Sequence, residues 1–516
     1  MMQKYAIGES DFESIIEGGF VYVDKTAFIH RLIENGKFYF LSRPRRFGKS
    51  LLLSTIEYFF RGKRELFENL AISSLATDWQ PYPVIRIDLT QGAFTSEGGL
   101  ESRLSQILSQ YESRHETAGG EYSIFERFGN LIQALHDKFD RKVVVLVDEY
   151  DKPILDCFGN DELRDRNNNI LRNFYSVLKS EASHLKFVFL TGITRFGHLN
   201  IFSGLNNLND ISLDEDYSAI CGITEKELSE RLLPGVKMLA DKKAISLEET
   251  LALLKSRYDG YHFSADAPDV FNPFSLLQAL SKRMLGYFWY SSGTPKMLLD
   301  IMKKSSPEDL EMDGVTCTAS MLQGVHVSMN DLPVLMYQTG YLTIKSYDDA
   351  TELYTLGFPN NEVRKAFSES ILLEFSGVTE HQKNGIIQDI STALDDGDVE
   401  KLIDTVSSFL SGIPFEMKME VNYQLVIYAL FQLLGFDTEV EHHTSSGSID
   451  ILVRTTRYIY IIELKINSSA EKAVSQIRNK NYVAPFLKDS RKKFLIGINF
   501  STLPRTITDW TSMEVE

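Results

Sequence analysis

The sequence predicts an α/β protein: a parallel sheet with helices on both faces, a mainly helical middle region, and a second, smaller α/β unit at the C-terminal end. Three observations predict it. Between Phe38 and Leu213, short apolar runs of strand length alternate with longer amphipathic stretches. From about Asp214 to Glu400 the pattern turns mainly helical. After "LSGIPF" (410–415), β-rich runs return. A chain of 516 residues exceeds what one hydrophobic core organises. We place the domains at 1–214, 215–410 and 411–516.

The elements follow in order. "FYFLS" (38–42) reads as a strand, and Lys49 to Phe60 as a helix with one apolar face. "VIRIDL" (84–89) is a second strand, followed by helical stretches near 99–113 and 123–138. "KVVVLVDEYD" (142–151) is a buried strand ending in acids. A helix near 163–182, the strand "KFVFLTGI" (186–193) and a short strand "NDISL" (209–213) complete the sheet. In the middle region, "GYLTIKSYDDATELYTLGFPN" (340–360) is a hairpin with a helix after Asn361, the outline of a small winged-helix-like lid. The last unit carries a helix over about 419–434, strands near 437–442, 449–454 and 458–465, a helix over about 470–482 and the strand "KFLIGINF" (493–500).

Composition narrows the function. Hydrophobic residues at 43% and charged residues at 24% describe an ordinary globular chain. A formal net charge of −17 argues against a broad basic coat for nucleic acid. The acidic excess lies before Ser411; beyond it acids and bases balance, so a nucleic-acid contact fits best at the C-terminal end. Cys157, Cys221 and Cys317 are too scattered for a disulfide framework or a zinc site. The N-terminus has no apolar signal core, and no run reaches membrane-spanning length. The expected compartment is the reducing cytoplasm.

"LSRPRRFGKSLLL" (41–53) closes like a phosphate-binding loop, with Gly48, Lys49 and Ser50, but Arg43 stands where the first glycine belongs. Such loops work because backbone N–H groups and a helix N-terminus face the anion. Gly48 lets the backbone approach, Lys49 reaches the β- and γ-phosphates, and Ser50 ligates Mg²⁺. Arg45 and Arg46 add charge beside the phosphates. Asp148 would hold Mg²⁺ through water, and Glu149 would deprotonate the attacking water. Thr194 and Arg195, past the next strand, fit a γ-phosphate sensor and a transition-state countercharge. Each element alone is as well explained as a helix cap, a solvated strand end or a surface charge. The three together, in this order, point to binding and hydrolysis of a nucleotide.

The C-terminal stretch "GSIDILVRTTRYIYIIELKI" (447–466) reads as two strands around a Thr455-Thr456 turn. That turn sets position 450 opposite 461, and Asp450 shares a face with Ile461, Glu463 and Lys465. Ile449, Ile451, Val453, Tyr460, Ile462 and Leu464 then form the core face. Two acids at the end of an apolar sheet repel unless a cation relieves them, and hard oxygens favour Mg²⁺ or Mn²⁺. A metal beside Lys465 can activate water at a phosphate. The plainer alternative is a Glu463–Lys465 ion pair on a sheet rim. His442 and His443 are adjacent on a strand and face opposite ways, which argues against a shared metal.

"YVDKTAFI" (22–29), "RPRRFGKSLLL" (43–53), "VVVLVDEYDKPI" (143–154), "RYDGYHF" (257–263), "VFNPFSLL" (270–277) and "SSGTPKML" (291–298) closely resemble bacterial AAA-ATPase-like proteins. "GFDTEVE", "GSIDILV", "YIYIIELK" and "AVSQIRNKNY" resemble the PD-(D/E)XK nuclease-like domain fused to them. The resemblance covers nearly the whole chain. It implies a P-loop NTPase fold joined to a restriction-endonuclease-like fold, acting on DNA or RNA in nucleic-acid processing or defence. It implies Lys49, Ser50, Asp148 and Glu149 as the ATP site and Asp450, Glu463 and Lys465 as the nuclease triad, with Gln476 and Tyr482 at accessory positions. Many relatives carry a further acid on the first nuclease helix, where this chain offers only Glu420. The alternative function is a nucleotide-dependent switch or scaffold whose nuclease-like domain only binds nucleic acid or protein. Whether Arg195 serves its own chain or a neighbour in a homo-oligomer stays open.

Overall fold

Four largely apolar strands and a short polar one build the first sheet: β1 (Phe38–Ser42), β2 (Val84–Asp88), β3 (Val143–Asp148), β4 (Leu185–Gly192) and β5 (Asn209–Asp210). In the computed structural model they pair in parallel in the order β2-β3-β4-β1-β5. The structure describes residues 3–515 except 77, 118–120, 196–200, 203–204, 206, 290–295, 303–313, 325–330, 413–425, 428, 435, 445–446 and 503–504. β3 is buried along its whole length because helices cover both faces, which explains its unbroken apolar run.

Three helices line one face: Gly99–His115, Ile124–Phe139 and Asp161–Ser180, with Leu104, Phe128, Leu131 and Phe174 packed on Ile87, Val145 and Val188. The helix α1 (Lys49–Phe60), which leaves the phosphate loop, covers the other face, where Phe60 meets Phe187 at a ring separation of 5.3 Å. The chain then forms a helical cluster, Leu233–Lys243, Leu247–Tyr258 and Pro273–Lys282, around Leu228, Val236, Leu254 and Leu276. The hairpin expected near 340–360 is present as Thr343–Asp348 and Leu353–Gly357, with a third strand, Val315–Thr318, paired on its Leu353–Gly357 side. That third strand, Val-Thr-Cys-Thr, alternates but at four residues is too short to stand out in the sequence.

The described residues divide into two compact units. Met1–Ser291 with Glu311–Glu362 make the first; Ser292–Leu310 with Val363–Glu516 make the second. All three cysteines belong to the first unit and are buried and unpaired.

The second unit holds a sheet in the order β6-β7-β8-β9-β10: β6 (Asp437–Thr444), β7 (Gly447–Arg454), β8 (Tyr458–Ile466), β9 (Lys492–Thr502) and β10 (Arg505–Val515). Neighbours run antiparallel except β8 and β9, which are parallel and joined through the helix α2 (Ala470–Asn479). β10 carries no two-residue signal because its apolar residues, Ile507, Trp510, Met513 and Val515, are unevenly spaced and its pairing is interrupted by a register shift.

Two expectations about the hairpin are corrected. The turn is not Thr455-Thr456 alone: Thr455 N–H donates to the Tyr458 carbonyl at 2.9 Å, and its hydroxyl accepts from Tyr458 N–H at 3.0 Å. This longer loop pairs Ile451 with Ile462 and Leu452 with Ile461, so one step further sets Asp450 opposite Glu463, not Ile461. The second correction concerns burial. Both faces are core, with Leu452, Ile459 and Ile461 packed under Ile477 of α2, while the Tyr460 hydroxyl on the other face donates to the Leu394 carbonyl at 2.6 Å.

Candidate functional site

The first site forms where β1 turns into α1. Gly48 has φ 92°, a backbone state that favours glycine, and the helix it opens has no side-chain cap. A Cβ at Gly48 would meet nothing within 4 Å, so the space beside the foot of α1 is open at that point. Lys49 is 4% exposed; its ammonium donates to the Arg43 and Pro44 carbonyls at 2.9 and 3.2 Å and lies 3.7 Å from Glu149 Oε1. Ser50 follows in the first turn. These features fit a triphosphate with Mg²⁺ at the helix N-terminus.

Arg43 explains the altered entry of the loop. Its side chain is 1% exposed and runs inward. The guanidinium donates to the carbonyls of Ser42, Ser212, Tyr217 and Ser218 at 2.9, 2.8, 3.2 and 3.3 Å, and lies 4.2 Å from the Phe263 ring centroid. The loop is therefore braced by a buried cation against the segment after β5 and against the 257–263 motif. Phe47 adds edge-on contacts to Tyr261 and Phe263 at 4.7 and 5.4 Å. Arg45 and Arg46 are both exposed: Arg46, with φ 70°, stacks on Phe274 at 4.5 Å, and the Arg45 charge acts on Glu149. Of the two arginines expected beside the phosphates, Arg46 is thus engaged with an aromatic ring.

The acids end β3. Asp148 is 1% exposed and accepts from the Thr191 hydroxyl at 2.9 Å. Glu149 has φ 54°, and burial holds its carboxyl above the usual range against the pull of Lys49. Asp151, which the sequence reading passed over, is fully buried and accepts from Ile193 N–H at 3.1 Å, Thr194 N–H at 2.6 Å and the Thr194 hydroxyl at 2.8 Å. Its signal was the third acid in "VDEYD". The Thr194 hydroxyl is thereby committed to Asp151. Arg195 is 2% exposed, pairs with Asp210, and donates to the Leu322 carbonyl at 3.2 Å. Its backbone N–H donates to Gln338 at 3.0 Å. Thr194 and Arg195 both serve as interior struts in this arrangement.

The second site lies on the α2 face of the C-terminal sheet. Asp450 Oδ2 accepts from Leu464 N–H at 2.7 Å. Glu463 is wholly buried; Oε1 takes the Gln476 amide and lies 3.5 Å from the Lys465 ammonium, while Oε2 is buried with no hydrogen-bond partner. Burial, then the Asp450 charge, push the Glu463 carboxyl up to about 7. A buried orphan carboxylate oxygen opposite a second acid suits a hard divalent cation, which would supply the missing partner. The plainer Glu463–Lys465 pairing is also present, at that same 3.5 Å. Among the described residues no cluster of three or more His, Cys, Asp or Glu could hold a metal. Gln476 is in the site, but Tyr482 is core: it is 2% exposed, and a Cβ at Gly447 would come 2.7 Å from its hydroxyl. Glu420 lies outside the described residues. His442 bonds Glu439, away from any metal cluster.

Residues 6–202 match the family model described as "Predicted AAA-ATPase", and residues 418–510 match the PD-(D/E)XK nuclease superfamily. A full-length relative is the "Uncharacterized protein in vnfD 5'region" of Azotobacter chroococcum mcd 1, 35% identical over 520 residues covering 98% of each chain. The order of the parallel strands, the glycine-lysine-serine turn at the foot of α1 and the acid-bearing hairpin agree with both matches. The chain belongs to the family that joins an AAA-ATPase-like domain to a PD-(D/E)XK nuclease-like domain.

Proposed function

We propose that the protein binds and hydrolyses ATP at the first site and that its C-terminal sheet is a metal-dependent nuclease acting on DNA or RNA. The observation that carries the first half is the approach of Lys49 to Glu149, 3.7 Å apart at the foot of an uncapped helix. Lys49 and the N–H groups around Gly48 bind the phosphates, Ser50 and Asp148 would hold Mg²⁺, and Glu149 takes the proton of the attacking water. Mg²⁺ would supply charge stabilisation at the transferring phosphate. The raised proton affinity of Glu149, which burial sustains against the pull of Lys49, suits a base.

For the second half, the carrying observation is Glu463 Oε2, buried and unpartnered beside Asp450 and Lys465. Asp450 and Glu463 would hold Mg²⁺ or Mn²⁺, Lys465 would steady the developing phosphate charge, and Gln476 orients Glu463. A role in defence or nucleic-acid processing, in the cytoplasm, fits both halves; no helix among the described residues is long and apolar enough to cross a membrane. The Asp210 pairing of Arg195 favours a role within its own chain over one across a homo-oligomer interface.

The alternative reading, a nucleotide-dependent switch whose nuclease fold only binds, is favoured by one observation: the described residues offer two acids, not three, at the second site. Cleavage of plasmid, linear and single-stranded substrates with Mg²⁺ or Mn²⁺, with and without ATP, separates the two. The nuclease reading requires cutting that Asp450→Ala and Lys465→Ala abolish. The ATP reading requires that Lys49→Ala lose nucleotide binding, and that Glu149→Gln retain binding while turnover falls about 100-fold or more.

A further inference from the structure

Arg86 lies on β2, on the sheet face turned toward α1, beside the tip of β3. Its guanidinium bridges two buried acids. Nη1 donates to Glu57 Oε2 at 3.1 Å, and Nη2 lies 3.6 Å from Asp148 Oδ2. Glu57 sits on α1 seven residues beyond Ser50, two helical turns along the same side. Its second oxygen holds Arg61 at 2.6 Å. Asp148 and Glu57 are 1% and 6% exposed, so neither charge is relieved by water.

We propose that Arg86 is a positioning residue of the ATP site: tethered by Glu57, it supplies the resident countercharge for Asp148 and so sets how tightly the site takes the divalent cation that accompanies the nucleotide. The inference rests on the ATP reading of the first site. Asp148 has the Thr191 hydroxyl on Oδ1 and the guanidinium facing Oδ2. A divalent ion held by Asp148 would lie near this fixed positive charge, and like charges in a water-poor site repel strongly. In exchange, the Asp148 carboxylate stays aimed. Glu57 holds the guanidinium back, so the two residues act on the metal in opposite senses.

The test titrates Mg²⁺ against binding of a fluorescent ATP analogue to the full-length protein, with circular dichroism as the check on folding. Arg86→Gln removes the competing charge, and its Mg²⁺ midpoint falls at least about threefold. Glu57→Gln releases the guanidinium toward Asp148, and its midpoint rises. Arg86→Lys keeps the charge and stays nearer to wild type than Arg86→Gln. A purely structural role would move both glutamine variants the same way. Midpoints that do not move, or that move together, overturn the role of Arg86 and leave the ATP site standing. Wild-type protein that takes up no nucleotide at any Mg²⁺ concentration overturns the ATP reading and this inference with it.

Discussion

Arg43 occupies the position where a phosphate loop usually opens with glycine, and its surroundings make that substitution legible only in three dimensions. Four carbonyl oxygens and an aromatic face receive a guanidinium that burial alone would make costly. Restoring the common glycine by Arg43→Gly is expected to destabilise the first unit by about 3 kcal/mol or more, read as a fall in Tm, because it leaves a cavity and four orphaned carbonyls. Glu463 behaves in the opposite way. Its carboxyl titrates near 7, so above that pH the folded protein carries a buried charge that the unfolded chain would hydrate. Glu463→Gln is expected to raise stability by about 1 kcal/mol at pH 8 while abolishing metal-dependent cleavage, and the gain should shrink steadily as the pH falls from about 7 towards the ordinary glutamate range. Thermal scans at about pH 4.5 and pH 8 check it. The residues that carry short-range spacing, Gly48 through Ser50 and Asp148-Glu149, were legible in the sequence. The partners of Arg43, Asp151 and Arg86 were not, because each is brought in from a distant segment.

At the scale of elements, periodicity located most strands and long helices of the described chain to within a few residues, since burial on one or both faces leaves a local imprint. Register did not yield to the same logic. A threonine hydroxyl closing a four-residue loop (455–458) moved every pair in the C-terminal hairpin by two positions, yet kept Asp450, Glu463 and Lys465 on one face because the shift was even. The "RYDGYHF" segment shows how a motif can be structural. Gly260 has φ 85°, and a Cβ there would come 2.2 Å from the Pro359 carbonyl. Asp259 beside it is held at about 6 by burial and by Asp269 and Glu225, against the pull of Gly260 N–H and Lys255. A raised carboxyl binds a proton more tightly folded than unfolded, so stability should decline as pH rises from about 4 to 6 and then level off. Asp259→Asn should flatten that slope and add up to about 3 kcal/mol at pH 7, measured by urea unfolding across the range.

For the whole molecule, the ATP-site unit does not end where the parallel sheet ends. Arg43 bonds carbonyls at Tyr217 and Ser218, Lys25 of the "YVDKTAFI" motif pairs with Glu227 at 2.7 Å, and Phe47 packs on Tyr261 and Phe263. A fragment of residues 1–362 should therefore fold and bind nucleotide, whereas residues 1–214 alone should be insoluble or molten. Expression of both, followed by nucleotide binding and near-ultraviolet dichroism, decides the matter. The placement of sulfur has a practical corollary. With Cys157, Cys221 and Cys317 all enclosed in that same unit and none in the other, the unmodified protein carries its own reporter. The rate at which a thiol-reactive dye is consumed measures how often the nucleotide half breathes open, blind to whatever the nuclease-like half is doing, with no label to engineer.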